Sequence, residues 1–219
     1  IARKKECSIL ANLLTAGEHV VIYEPPKTGK MSLIQQTLIN MRSTGSQFMT
    51  VCIDMFNLRS MDEFLLRFGT AVMKAALTTP DQYKDAIQRH LEGTHFVFDR
   101  VRFMTCGEVV SLNWEPDRND ISKMMELPVK LANEKSLPYI VVLKEFQNLM
   151  NADEYEDVFK IMETQMKSRD RSNPHHATYL MSGAMVNAMK FIFEEKRYFY
   201  RLANHVAFSP VDDKEIIEH

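Results

Sequence analysis

Apolar residues in this chain follow two patterns: short unbroken runs, and stretches in which they recur every three or four positions. Unbroken β-branched runs bounded by turn residues read as strands buried on both faces. The runs are His19 to Tyr23 (HVVIY), Phe48 to Met55 (FMTVCIDM), Tyr139 to Leu143 (YIVVL), Thr178 to Met181 and Val206 to Phe208. Helical spacing appears between Ile1 and Thr15 through Ile9, Leu10, Leu13 and Leu14, with Gly17 as its stop. It returns after Gly29 through Ile34, Leu38 and Met41, and from Ser60 to Leu77, where Ser60 is the expected N-cap with Glu63 three residues on. Further helices are predicted over Asp81 to Leu91, capped by Asp81, over Ile121 to Asn133, over Tyr155 to Met166 and over Met185 to Glu195.

Strands that alternate with helices require crossover connections, so the fold class is α/β, a mainly parallel five-stranded sheet covered on both faces in three layers. One segment breaks the alternation. Between Thr94 and Trp114 the residues Phe96, Phe98, Val101, Phe103, Val109, Val110 and Leu112 suit a β-hairpin turning near Cys106 and Gly107. Residues 78–118 are therefore read as an insertion after the second strand, within one domain spanning 1–219.

Composition narrows the class without adding chemistry. The 219 residues carry 27 basic and 29 acidic side chains, so no global field draws nucleic acid or an anionic membrane. Cys7, Cys52 and Cys106 have neither disulfide nor zinc spacing, which fits a reducing cytoplasm. No apolar run reaches the roughly 18 residues that cross a bilayer. The start lacks a signal-peptide core, and the polar run from Asp212 to His219 reads as the beginning of another helix, so sequence is expected on both sides.

The chemistry concentrates in Glu24-Pro25-Pro26-Lys27-Thr28-Gly29-Lys30-Met31-Ser32, between the first strand and the helix that follows it. A loop in that position presents backbone N–H groups at a helix N-terminus to a phosphate, and a Lys reaches the terminal phosphates. Gly29 and Lys30 supply both. The stretch resembles the phosphate loop of the archaeal-type ATPase branch of AAA+/STAND P-loop proteins, in particular the paralogous ATP-binding proteins of Bacteroides-like bacteria. Pro25, Thr28, Gly29, Lys30, Ser32 and Leu33 match that pattern. Arg3 with Glu6 or Lys5 echoes its Arg-x-x-Glu opening helix, and Glu145-Phe146-Gln147 matches three of the four Walker B positions. Tyr179 to Gly183 stands at sensor 1, and Phe199-Tyr200-Arg201 resembles the stretch before the last strand.

The resemblance implies a strand order of 5-1-4-3-2, ATP or ADP as ligand, Glu145 as the residue that polarises the attacking water and Arg201 as a nucleotide-sensing or finger arginine. It also implies a C-terminal winged-helix domain beyond this chain, whose packing bound nucleotide would set. The plainer alternatives are a strand-end charge for Glu145 and a structural ion pair for Arg201.

Three departures fall on the metal-phosphate centre: Glu24 for the first loop Gly, Met31 for the Ser/Thr after the Lys, and Lys144 for the Walker B Asp. Magnesium needs hard oxygen ligands, and neither a thioether nor an ammonium provides one. No metal ligand set is expected, Mg2+ is not assigned, and hydrolysis is expected to be weak or absent. Pro25 is placed to steer the Glu24 carboxylate away from the cavity. Lys144 is expected to stand where the ion would, contacting phosphate or pairing with Glu24 when the loop is empty. The alternative function is a pseudo-ATPase scaffold that binds proteins and little nucleotide. His175 and His176 in a polar loop, the basic stretch Lys167 to Arg171 and the 15 Met residues read as a solvated loop and core filler.

Overall fold

The computed structural model describes residues 3–209; Ile1 and the polar run from Asp212 onward, expected to begin a helix, lie outside them. Five strands form the main sheet: β1 (Val20–Tyr23), β2 (Met49–Asp54), β5 (Tyr139–Lys144), β6 (Ala177–Gly183) and β7 (Asn204–His205), with β3 (Phe96–Val97) and β4 (Ser111–Leu112) as a separate ribbon. All main-sheet pairings are parallel. The order is β2-β5-β6-β1-β7. The labels differ from the expected 5-1-4-3-2 because the ribbon takes two numbers. With the five sheet strands numbered alone the order is 2-3-4-1-5, the same neighbours read from the other edge.

Alternate residues of the buried strands feed two cores, because successive side chains leave a strand on opposite faces. Val20, Ile22, Ile140, Val142 and Leu180 pack under α1 (Lys4–Thr15) and α2 (Lys30–Ser43) through Leu10, Leu14, Leu33, Ile34 and Met41. Val21, Tyr23, Val141, Leu143, Tyr179 and Met181 pack on the opposite side. There they meet α3 (Met61–Ala76), α4 (Pro80–His90), α6 (Arg118–Lys135), α7 (Tyr155–Lys167) and α8 (Val186–Phe193). Beneath α7 and α8 sits an aromatic cluster in which the Phe159 ring lies 5.3 Å from both Phe146 and Phe199.

Local chemistry explains most boundaries and corrects several. Ser60 caps α3 by accepting from the Glu63 N–H at 3.2 Å, while the Glu63 carboxylate accepts from the Arg59 N–H rather than closing a box on Ser60. The cap of α4 is Thr79 with Gln82, not Asp81; Pro80 takes the first helical position, where a missing N–H costs nothing. The expected turn at Cys106 and Gly107 is instead the end of a helix, α5 (Arg100–Cys106), started by Asp99 and stopped by Gly107 at φ +73°. Asp99 accepts from the Val101 and Arg102 N–H groups, so the helix wins locally and only two residue pairs of the hairpin remain. The last strand forms at Asn204–His205, two residues earlier than the apolar run Val206 to Phe208 suggested.

Candidate functional site: the phosphate loop

At the C-terminal end of β1 the chain turns through Pro25 and Pro26 and enters α2 at Gly29. Lys27 and Gly29 hold φ of +63° and +86°, and an added Cβ at Gly29 would meet no atom within 4 Å. The loop is thus bounded by left-handed residues and open above its glycine. Thr28 Oγ1 donates to the Pro25 carbonyl at 2.9 Å, which braces the turn. Lys30 is buried, and its Nζ donates to the carbonyls of Glu24 (2.6 Å) and Pro25 (2.8 Å). Burial lowers its pKa, opposed by the charges of Glu145 and Glu24. The ammonium therefore satisfies itself on the loop's own carbonyls.

Among the described residues the Glu24 carboxylate forms no ion pair with Lys144. Its Oε1 accepts from the Phe208 N–H at 3.1 Å, so the side chain ties the loop to the segment leaving β7. That segment is held a second time: Glu6 accepts from the Ser209 N–H and Arg3 donates to the Ser209 carbonyl, both at 3.0 Å. Arg3 also lies over the Phe208 ring at 4.1 Å. The Arg3 and Glu6 pair thus joins the opening helix to the chain's exit.

Lys144 and Asp54 occupy matching positions in the register of β5 and β2. Their Nζ and Oδ2 atoms are 2.5 Å apart. The expected Lys144–Glu24 pairing is replaced by this one, because Asp54 projects from the adjacent strand while Glu24 is spent on Phe208. The hydrogen bond raises the Lys144 pKa. Burial pushes the Asp54 carboxyl up, but Lys144, the Phe56 N–H and Arg67 outweigh it and leave it lowered. Lys144 shares the strand parity of Ile140 and Val142, which places it on the α2 side of the sheet.

Glu145 has φ +55° and starts a 3-10 turn, Phe146–Asn151. Its Oε2 accepts from Gln147 Nε2 at 2.7 Å and from the Ala184 N–H at 3.2 Å, which joins the end of β5 to the end of β6. The buried Ser182 hydroxyl donates to the Met31 thioether sulfur at 4.0 Å. Ser32 is exposed on α2. Arg201 is exposed and lies over the neighbouring Tyr200 ring at 5.2 Å; among the described residues it makes neither the ion pair nor a hydrogen bond to the loop. Pro26 and Lys27 are exposed at the loop's tip.

Sequence reasoning overlooked Asp54, read only as a strand end, and the group at Tyr23. The Tyr23 ring stacks on His205 at 4.1 Å, and its hydroxyl donates to Glu194. A carboxylate closing an otherwise apolar strand was the available signal for Asp54. Elsewhere, His95, Asp117 and Asp120 bring one ligand atom each within 4.8 Å of one another. Those atoms already serve the capping box of α6, with the Asp120 carboxylate accepting from the Asp117 and His95 N–H groups.

A left-handed glycine, a helix N-terminus and a buried lysine come together in this loop, the elements from which a phosphate cradle is built. Met31 and Lys144 offer magnesium no hard oxygen ligand.

No protein-family model matches the sequence, and no curated protein is similar to it. Solved structures are similar in fold. A Walker-type ATPase of Pyrococcus abyssi, PABY2304, superposes with a TM-score of 0.58 at 16% identity, covering 99% of this chain and 55% of that one. The ORC1 protein of Aeropyrum pernix, solved in complex with DNA, gives 0.55 at 14% identity, covering 100% and 49%. ORC2 of the same organism, solved with ADPNP and ADP, gives 0.53 at 15% identity, covering 94% and 47%. The chain spans about half the length of these neighbours. Among the described residues no helix is long and apolar enough to cross a membrane. With its parallel sheet and its loop between β1 and α2, the chain shares the fold of these structures, a P-loop NTPase fold.

Proposed function

We propose that this chain is an ATP- or ADP-binding switch domain with weak or no hydrolysis, in which Lys144 takes over the charge role of magnesium. The observation that carries the reading is the pair of contacts at Glu24. Its carbonyl accepts from the Lys30 ammonium, and its carboxylate accepts from the backbone of Phe208. A bound phosphate competes for Lys30, because an anion is a stronger partner for an ammonium than a carbonyl. Releasing Lys30 from Glu24 loosens the loop, and with it the tie to the segment that leaves β7. The position of whatever follows that segment then depends on nucleotide.

Lys144 supports binding without a metal. It sits at the end of β5 on the α2 side, held by Asp54, at the position that the resemblance gives to the Walker B acid. Glu145 polarises no water in this reading; it joins β5 to β6, and hydrolysis stays weak. Arg201 lies over Tyr200 and becomes a contact of the loop only if the segment after α8 moves. Calorimetric titration with ADP and ATP, in magnesium and in EDTA, tests the proposal. The expected result is the same dissociation constant within about threefold in both; a strict magnesium requirement refutes the role of Lys144.

One observation favours a second reading, a scaffold that binds proteins and little nucleotide: Lys30 is already satisfied by the loop's own carbonyls. Thermal melting separates the two. Ligand at 100 times its dissociation constant adds about 2.7 kcal/mol of stability. An unmoved transition at millimolar ADP selects the scaffold.

A further inference from the structure

The end of the sheet opposite the phosphate loop holds a cavity of about 290 Å³, near the lower limit of ligand pockets. His19, just before β1, and Ala177, which opens β6, line it, so it lies at the N-terminal ends of the strands. Met125 and Val129 of α6, Met166 of α7 and Tyr179 give it an apolar wall. Two polar residues on its lining are incompletely satisfied.

His19 is 5% exposed. Its Nδ1 accepts from the Tyr179 N–H at 3.0 Å, which places the proton of the neutral ring on Nε2. That Nε2 is buried and has no hydrogen-bond partner. Arg169 donates its two terminal nitrogens to the carbonyls of Gly17 and Ala16, and its Nε–H is also buried and unpartnered. Both orphans are donors, so what completes them must bring oxygen acceptors.

The charge balance says what kind. The partners of Arg169 are neutral carbonyls. Of the carboxylates on the lining, Glu126 is paired with Lys130 at 2.9 Å, and Asp170 is turned onto the backbone and hydroxyl of Ser172. Glu18 attracts the guanidinium from a distance without bonding it, and His176 stands beside it. The guanidinium is half-buried with its Nε enclosed, and with no bonded anion it gains from an incoming counter-charge.

We infer that this cavity binds a small organic carboxylate, its oxygens accepting from His19 Nε2 and Arg169 Nε and its apolar body lying against Met125, Val129, Met166 and Tyr179. The site is independent of the phosphate loop and stands whatever that loop binds.

The test is an amide-resolved NMR titration of the full chain with hexanoate, octanoate, benzoate and phenylacetate, and with hexylamine as the cationic control. Saturable shifts are expected over Ala177 to Tyr179 and at Ser168 and Arg169, with none at Thr28 to Lys30 and none from hexylamine. His19→Asn keeps an oxygen for the Tyr179 N–H and removes the Nε2 donor; it is expected to weaken carboxylate binding at least tenfold. Val129→Phe fills the cavity and is expected to abolish binding, with a melting curve to confirm that each variant folds. No saturable shift from any of the four acids, equal shifts from hexylamine, or unchanged affinity in folded His19→Asn would each overturn the inference.

Discussion

At the C-terminal ends of the strands the charged groups are already paired: buried Lys30 with loop carbonyls, Lys144 with Asp54, Glu24 with Phe208. At the N-terminal ends His19 is buried and Arg169 leaves a nitrogen without a partner. The first arrangement exchanges partners cheaply, because each group can return to water or to its present neighbour. The second has no such fallback, since an unpaired buried donor forfeits its hydration outright. One end is therefore suited to switching. The other is suited to being filled.

The largest expected effect comes from acid acting on the buried end. Burial, with Arg169 and His176 beside it, lowers the His19 pKa to about 4, whereas the unfolded chain takes up the proton near 6.5. Between those values the unfolded state binds more protons, so stability is full above pH 6.5 and is lost as pH falls toward 4. The loss is about 3 kcal/mol, and the lowered His176 adds to it with the same sign. Urea unfolding at pH 7.5 and pH 4 should show His19→Asn losing about 3 kcal/mol less than the parent. Equal losses would mean that His19 titrates normally.

Next in size is Lys30→Ala, which removes the one buried cation of the loop. ADP affinity should fall about 100-fold, or about 2.7 kcal/mol, by calorimetry, with carboxylate binding at the far end untouched. A fall of less than threefold would show that the loop does not hold phosphate.

Gly183→Ala probes how far packing supports the loop end. Its Cβ would run into Gln147 Oε1 and stand 2.6 Å from Met189 Cγ. The expected cost is about 2 kcal/mol in thermal melting, from overpacking between the end of β6 and α8. A neutral result would mean that Met189 and Gln147 yield freely. The smallest effect is sought in Lys144→Asp. Two carboxylates, with Asp54, would then face each other and invite a divalent ion. ADP affinity should become about tenfold dependent on magnesium, and unchanged metal independence would remove Lys144 from the account.

How legible all this was differs by element. The inner strands β1, β5 and β6 were visible because both faces are buried, which leaves an unbroken apolar run such as Tyr139 to Leu143. The ribbon was harder: Phe96, Phe98 and Phe103 fit a hairpin by spacing, but Asp99 and Gly107 form the two ends of a short helix between its strands. Thr79 against Asp81 shows the same limit, since neighbouring residues compete for one cap and only the backbone path decides. The loop's lysine and glycine were plain from their place between strand and helix. Their partners were not, because Asp54 lies 90 residues from Lys144 and Phe208 lies 184 from Glu24.

The sequence by itself determined the alternation of strand and helix, and the turn through Thr28, Gly29 and Lys30 between the first strand and the helix after it. These follow from side-chain chemistry and from periods of two and 3.6 residues, which are local properties. Only the tertiary structure decided that Lys144 pairs with Asp54, that Glu24 ties the loop to the exit of the chain, and that His19 and Arg169 share a cavity. Each of those depends on strand register and on which elements the sheet brings side by side, and neither is written in any single stretch of sequence.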